Sequence, residues 1–558
     1  VSAETRQFDV IVVGAGLSGL YALYRLRERG FTARVLEAGS GVGGTWYWNR
    51  YPGARCDVES VQYSYSFSKE LRQEWTWSER YGGQPEILRY INFVADRFDL
   101  RQDIQFNTRV VSAVFNDETN LWSVETDQGD LFSATYCIMA TGCLSTPYEP
   151  DYPGLGNYQG DLYHTGRWPH EEVDFSGMRV GVIGTGATAI QLIPVVAKQA
   201  QHLTVFQRTA NYSIPGHNQP ADSEADREFE ANFDARYDKA RHSFAGMSGY
   251  SSPRVSALED EPAERNRYFE ERWASGGGTF AMLTTYRDLL VNPEANDLAA
   301  EFVREKIRSI VKDPAVAELL TPRNQPIGAK RLPVDTFYFE TYNRDNVSLV
   351  DIRSAPIERV TAKGLRTSER AYEFNALILA TGFDAMTGAL LAMNVRRESG
   401  PTLKEAWAEG PKSYLGIMVA GFPNMFTITG PGSPSVKMNM IYAIEQHVEW
   451  AVDCIDHLRS QGLDRIAPTE SAQEDWVEHA REVAETTLMP EADSWYMGAN
   501  IPGKPRVFMP YFGGFERYWQ LCNEIVADGY RGFETSGPHD LAANLTEPRK
   551  DPVPALPS

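Results

Sequence analysis

Cysteine is scarce in this 558-residue chain. The five thiols, Cys56, Cys137, Cys143, Cys454 and Cys522, form no C-x-x-C pair, and an odd number spread so thinly argues against a disulfide scaffold or a zinc site. A reducing compartment, the cytoplasm, is expected. Long apolar runs are missing as well: no uninterrupted stretch reaches the roughly 18 residues that a membrane helix needs. Residues 8–20 come nearest, but they carry three glycines and lack a basic flank, so neither an export signal nor an anchor is expected. Positive charge is also in deficit. With 54 Lys and Arg against 75 Asp and Glu, the net charge of −21 repels nucleic acid and anionic membrane surfaces at long range. The histidines show no metal-ligand spacing, and there is neither a nucleophile elbow nor a metalloprotease motif, so no metal is expected.

What remains is an ordinary globular composition, 42 % apolar and 23 % charged, with a length that implies about three domains. Aromatic residues are plentiful at 12 % and include 12 tryptophans, which suits well-filled cores and also a site for a large planar ligand.

Residues 8–14, FDVIVVG, read as a buried parallel strand, and helical periodicity follows from Leu20. The turn between them is G-A-G-L-S-G, with Gly14, Gly16, Ser18 and Gly19. Its glycines serve a tight turn, close backbone approach to a pyrophosphate, and close packing of helix on strand. A second strand ends in Glu37, 23 residues after Gly14, where a carboxylate binds ribose hydroxyls. FAD and NADH both offer such a ribose, so this turn alone leaves the choice open. Just beyond the acid, a second glycine-rich loop with Gly44, Thr45 and Trp46 can bring amides and an indole to an extended ligand such as a flavin; a flexible surface turn is the equal alternative.

The pattern returns at residues 178–189, MRVGVIGTGATA, with Gly184, Thr185, Gly186, Ala187 and Thr188 in the turn. Here the next strand ends in Arg208, 24 residues after Gly184. Arginine at the ribose position accommodates a 2′-phosphate, so the second site favours NADPH over NADH. Two A-T-G segments, residues 140–142 and 380–382, look like sheet edges that return the chain towards a nucleotide.

Between the two glycine turns stands Y-Q-G-D-L-Y-H-T-G-R-W-P, residues 158–169. With it the chain resembles the two-dinucleotide-domain flavoprotein monooxygenases, and specifically the type I Baeyer–Villiger monooxygenases of the phenylacetone and steroid monooxygenase branch. That family carries F-x-G-x-x-x-H-x-x-x-W-P at this place. Gly160, His164, Trp168 and Pro169 match it, and Tyr158 replaces the phenylalanine, adding a hydroxyl that needs a partner. The resemblance runs from about residue 8 to 533 and is supported by residues 46–57, 328–331, 342–347, 430–435 and 494–505.

The resemblance implies an α/β fold of two Rossmann-like dinucleotide-binding domains, for FAD and NADPH, with a helical insertion. It implies an enzyme that inserts one oxygen atom of O₂ beside a ketone carbonyl through a flavin C4a-peroxide, giving an ester or lactone. Arg331 would be the permanently charged donor beside the flavin, and Asp57, which also borders the FAD, its positioning carboxylate. Tyr63, Val110 and Met440 would join the FAD site. Arg55, Gln191, Arg208, Thr209, Lys330 and Arg331 would hold NADPH, with Lys330, Arg208 and Thr209 on the 2′-phosphate and Trp495 covering the cofactor. Ser435, Val436 and Met440 would line the ketone pocket. His164 would be a hinge residue coupling domain movement to cofactor position rather than an acid or base.

The expected organisation is an FAD domain at 1–145 completed by 380–540, an NADPH domain at 146–214 and 326–379, a helical insertion at 215–325, and a tail at 541–558. Partners are a small ketone and O₂, with a monomer or small homo-oligomer expected. Three alternatives stand beside this reading. A flavin-containing monooxygenase acting on sulfur or nitrogen shares both turns but typically lacks the Trp168-Pro169 ending. A disulfide reductase needs a cysteine pair, and Cys56 has no near partner. A non-enzymatic NADPH-sensing module would be colourless and consume no NADPH.

Overall fold

The computed structural model describes residues 6–248 and 253–537; the tail expected at 541–558 lies outside the described residues. Two sheets organise it. The first runs in the order Asn394–Arg397, Val110–Asn116, Leu121–Thr126, Leu131–Met139, Arg6–Val13, Ala33–Leu36 and Ile104–Gln105, with Met425–Thr427 also paired to Leu131–Met139. Its centre is parallel, because Arg6–Val13 pairs in parallel with neighbours on both sides. Val10, Ile11 and Val12 are wholly buried, as expected of a strand covered on both faces. One covering layer is helix Leu17–Glu28 packed on helix Met440–Ser460, fastened at the rim by Arg29 to Asp453 and Asp456 at 2.6 and 2.8 Å.

The second sheet is fully parallel, in the order Val347–Asp351, His202–Gln207, Arg179–Ile183, Ala376–Leu379 and Asp161–His164. Helix Ala187–Gln199 packs on it, and a three-stranded antiparallel sheet, residues 357–373, stands at its side. Each sheet therefore turns from a central strand straight into a helix at a glycine, which brings two helix N-termini to carboxyl ends of parallel strands. That is where α/β sheets bind ligands.

Residues 215–325 are indeed rich in helix, but they do not share one core. Ala240, Ala245 and Met247 pack into the core of the first sheet, and Tyr237 meets Tyr442 edge-on at 4.9 Å. Phe269, Met282, Tyr286 and Val303 instead join Tyr212, Leu332 and Tyr338 in the core of the second. The amphipathic pattern shows which side of such a helix is buried, not which domain buries it. Among the described residues no helix is long and apolar enough to cross a membrane, and no group of three or more His, Cys, Asp and Glu could hold a metal.

Candidate active site

A single cavity of about 1480 Å³ runs between the two sheets and is lined from both glycine turns. It exceeds the roughly 300–1,000 Å³ of ordinary small-ligand sites, as a cavity for two dinucleotides must. Gly14, Gly16, Ser18, Glu37, Gly44, Thr45, Trp46, Asp57, Tyr63, Val110 and Met440 line it from the first domain. From the other side come Gly184, Thr185, Gly186, Ala187, Thr188, Gln191, Arg208, Thr209 and Lys330; Arg55, Arg331, Val436 and Trp495 complete the wall.

The turns are shaped for phosphate. Gly14 and Gly184 have φ of +104° and +115°, and a Cβ on either would lie 2.7 Å and 2.4 Å from the carbonyl oxygens of Ala140 and Ala380. These two glycines are fixed by the A-T-G segments behind them. Gly186 differs: a Cβ there meets no protein atom within 4 Å, so the space it would fill is the cradle itself. Gly16 and Gly186 cap helices Leu17–Glu28 and Ala187–Gln199 without any side-chain hydrogen bond, leaving the first-turn amides open to an anion. Gly19 does not reach the cavity. Its Cβ position lies 1.8 Å from the Gly14 carbonyl oxygen, so its task is to let helix and strand touch.

Glu37 is buried and accepts hydrogen bonds from the amides of Ala15 and Gly39, each at 2.7 Å. Burial raises its pKa above the ordinary value, although those amides and Arg109 act the other way. Trp46 donates its indole N–H to the Tyr63 hydroxyl at 3.1 Å, which fixes both rings on the wall.

On the opposite side, Arg208, Lys330 and Arg353 gather around Thr209. Arg353 donates to the Thr209 hydroxyl at 3.4 Å, and Thr185 donates to the Thr209 carbonyl at 2.9 Å. Burial, then Arg208 and Arg353, hold the Lys330 ammonium below its usual pKa, with Asp493 a partial offset. Three cations are drawn together here without an ion pair among the described residues, an arrangement whose charge suits a dianion. Arg353 belongs to no motif, so its sequence neighbourhood gave no signal.

Arg331 lies at the junction. Its Nε and Nη2 donate to both carboxylate oxygens of Asp57 at 2.6 to 2.9 Å, and Nη1 donates to the Val436 carbonyl at 2.6 Å. Burial opposes its charge, yet Asp57 outweighs burial, with help from the Tyr496 phenol, and the guanidinium pKa is raised. The pair joins residues 274 apart in sequence.

Two residues of the wall spend their polar groups on protein partners, and a third expected there lies behind it. Arg55 turns its guanidinium to Glu79 and the Tyr81 carbonyl, while Gln191 spends its amide across the domain boundary. Gln191 accepts from the Tyr51 hydroxyl at 2.9 Å and donates to the Arg55 carbonyl at 2.9 Å. Ser435 is fully buried behind the wall with its hydroxyl 3.9 Å from the Met386 sulfur, because the turn there alternates and presents Val436 instead.

The 158–169 segment packs beside the cavity rather than on it; only Gly166 and Arg167 reach the wall. The Tyr158 hydroxyl finds the Phe374 carbonyl at 3.1 Å, and its ring leaves no room for a Cβ at Gly160. Trp168, followed by Pro169, stacks on Tyr163 at 5.1 Å. His164 accepts from the Gly166 amide at Nδ1, which places the proton on Nε2, facing the Tyr148 carbonyl at 3.1 Å and the Thr381 hydroxyl at 3.2 Å. Burial lowers its pKa, and the ring ties the segment to the A-T-G end of strand Ala376–Leu379.

Trp495 opens a short turn whose following segment is pinned to that same strand end. Asn500 donates to the Phe383 carbonyl at 2.7 Å, and Lys504 reaches Asp384 at 2.5 Å and the Ala385 carbonyl at 2.8 Å.

Comparison with known proteins agrees with this geometry. Residues 11–239 match the pyridine nucleotide-disulphide oxidoreductase family. The chain is 44 % identical to a Baeyer-Villiger monooxygenase of Pseudooceanicola batsensis, over 94 % of this chain and 95 % of that protein. It is 41 % identical to the cyclohexanone 1,2-monooxygenase of an Acinetobacter species, over 95 % and 97 %. Among solved structures, an oxidized steroid monooxygenase bound to NADP superposes with a TM-score of 0.90 at 52 % identity, covering 95 % of this chain and 99 % of that one.

Proposed function

The chain belongs to the type I Baeyer–Villiger monooxygenases, and from that premise we propose which of its residues carry the reaction. It is an FAD- and NADPH-dependent flavoprotein that converts ketones to esters or lactones with O₂. When bound, FAD supplies the oxygen activation and NADPH the hydride. The residues must bind both cofactors, keep water out and hold negative charge at the reacting centre.

The 14–19 turn and Glu37 hold the FAD pyrophosphate and ribose, with Gly44, Thr45, Trp46, Tyr63, Val110 and Met440 along the rest of the cofactor. The 184–188 turn holds the NADPH pyrophosphate, and Arg208, Thr209, Lys330 and Arg353 take its 2′-phosphate. Arg331 is the catalytic cation. A guanidinium keeps its charge at any working pH and offers parallel N–H groups, and Asp57 orients it by a two-oxygen contact. Gln191 with Tyr51 and the 55 carbonyl keeps the two domains in register around the cavity. Trp495 covers the nicotinamide cofactor, and Val436 and Met440 face a ketone such as a cyclic or aryl one.

The observation that supports this reading best is the Arg331–Asp57 pair standing in the wall of the one cavity that both glycine turns line. The test is stoichiometry. With NADPH, O₂ and a panel of aryl, cyclic and steroid-like ketones, the protein should form ester in proportion to NADPH consumed, and Arg331→Ala should consume NADPH with ester formation abolished. Ester formed at the normal yield by the variant would overturn the assignment of Arg331.

A further inference from the structure

The short turn Ser435–Lys437 presents alternate faces. Val436 and Met438 line the cavity, whereas Lys437 points behind the wall. There its ammonium lies 3.6 Å from the Met489 sulfur, 4.5 Å from the centre of the Tyr496 ring and 5.2 Å from that of Phe512. Among the described residues no carboxylate pairs with it. The Tyr496 ring is wholly buried, and among the described residues its hydroxyl meets no hydrogen-bond partner at good geometry, although it interacts with the Arg331 guanidinium. One aromatic ring thus separates two cations, and the backbone of the lysine's own turn holds the second cation through the Val436 carbonyl.

We propose that Lys437 is a positioning residue for Arg331, its charge deciding how firmly the guanidinium is pressed onto Asp57 and so setting the pH range of ketone oxidation. This rests on the reading of Arg331 given above. A charged Lys437 repels the guanidinium from behind and holds it against the carboxylate. A neutral Lys437 leaves it free to share its N–H groups with a ligand in the cavity. Arg331 is the charged group that acts on Lys437; the other groups against it are the Tyr496 phenol, the Met489 thioether and the Phe512 ring. Through Arg331 the arrangement extends to Asp57 and the Cys143 thiol. Burial, and after it Arg331, push the Lys437 pKa down to about 7, where its charge changes within a working range.

The pH profile of ester formation tests it, with Lys437→Met, whose thioether suits these neighbours, and Lys437→Arg as a permanent cation. The wild type should rise through a midpoint near pH 7. The methionine variant should lack that rise and exceed the wild type about tenfold at pH 6, the ratio of charged to neutral lysine one unit below its pKa. The arginine variant should stay at the low level to pH 8. An unchanged midpoint in the methionine variant overturns the proposal, and so does an equal loss in both variants at every pH, which is what simple packing gives.

A second readout needs no turnover. A lysine whose pKa is lower in the folded than in the unfolded chain costs stability fully below the folded value, and the cost fades as pH rises towards the ordinary value. Lys437→Met should therefore raise the thermal midpoint of the holoenzyme at pH 6 to 7, with the gain shrinking towards pH 10. No gain at pH 6 overturns the proposal. Normal ester yield in Arg331→Ala, by contrast, would refute the reading of Arg331 while leaving this stability result standing.

Discussion

At the scale of single residues, charge separates the two ends of the cavity. Glu37 sets a buried carboxylate at one end, while Arg208, Lys330 and Arg353 gather positive charge around Thr209 at the other. Arg208 was legible because a Rossmann unit puts its ribose contact a fixed distance beyond the glycine turn. Arg353 follows a strand with no such marker and was reached only through the Thr209 hydroxyl it donates to. Both should act on NADPH alone. Arg208→Ala and Arg353→Ala are expected to raise the KM for NADPH, the former at least tenfold, and to leave the KM for NADH nearly unchanged; steady-state kinetics with both cofactors decides. Equal losses for NADPH and NADH would remove either residue from the phosphate site. The Arg331–Asp57 pair was legible only through the family resemblance, since nothing local links residues 274 apart. Lys437 was invisible for a related reason: a lysine in a turn ordinarily reads as solvated, and only the packed fold shows aromatic rings where water would be.

At the scale of elements, the two glycine turns were the most legible part of the chain, because strand, turn and helix are contiguous and each glycine has a local cause. Their glycines nevertheless do different work, and substitution should separate it. Gly14→Ala places a Cβ against the Ala140 carbonyl in a left-handed conformation and should cost about 1–3 kcal/mol of stability. Gly186→Ala meets open space, so its thermal midpoint without NADPH should match the wild type while NADPH affinity falls by tenfold or more. A lowered midpoint for Gly186→Ala would show that this glycine is structural. The helical insertion was legible as helix but not as architecture, since its polar faces resemble one another and the division between two cores depends on long-range packing. Ser435 shows the same limit on a smaller scale: its motif was recognisable, but the alternation of a three-residue turn chose Val436 for the cavity.

At the scale of the whole molecule, stability should depend on pH through a buried group that the reaction does not use. Glu445, on helix Met440–Ser460, is buried and accepts from the Ser66 amide and hydroxyl at 2.6 and 2.5 Å. Burial is the largest influence on it and pushes its pKa up to about 8. Its folded pKa therefore lies above the ordinary carboxylate value, so its contribution is full below about pH 4.5 and is lost as pH rises through 8. Glu445→Gln, which does not titrate, should raise the thermal midpoint at pH 9 and change it little near pH 4.5. Calorimetry across that range checks the sign, and an unchanged midpoint at pH 9 would exclude an ionised Glu445 as a burden on the fold.

The strand order of the first sheet also bears on biosynthesis. Its strands Asn394–Arg397 and Met425–Thr427, and the helix Met440–Ser460 that covers helix Leu17–Glu28, are translated after the whole second sheet. On the ribosome, strand Leu131–Met139 waits for Met425–Thr427 and helix Leu17–Glu28 for helix Met440–Ser460, partners roughly 290 to 430 residues downstream, whereas the enclosed sheet is complete once Ala376–Leu379 has left the tunnel. The nested domain is thus the first that can close, and the domain that opens the chain is the last. Until then helix Leu17–Glu28 lacks the helix that covers it, which leaves apolar surface open to chaperones and to aggregation and makes a pause in synthesis before Met440–Ser460 a natural hazard for this enzyme.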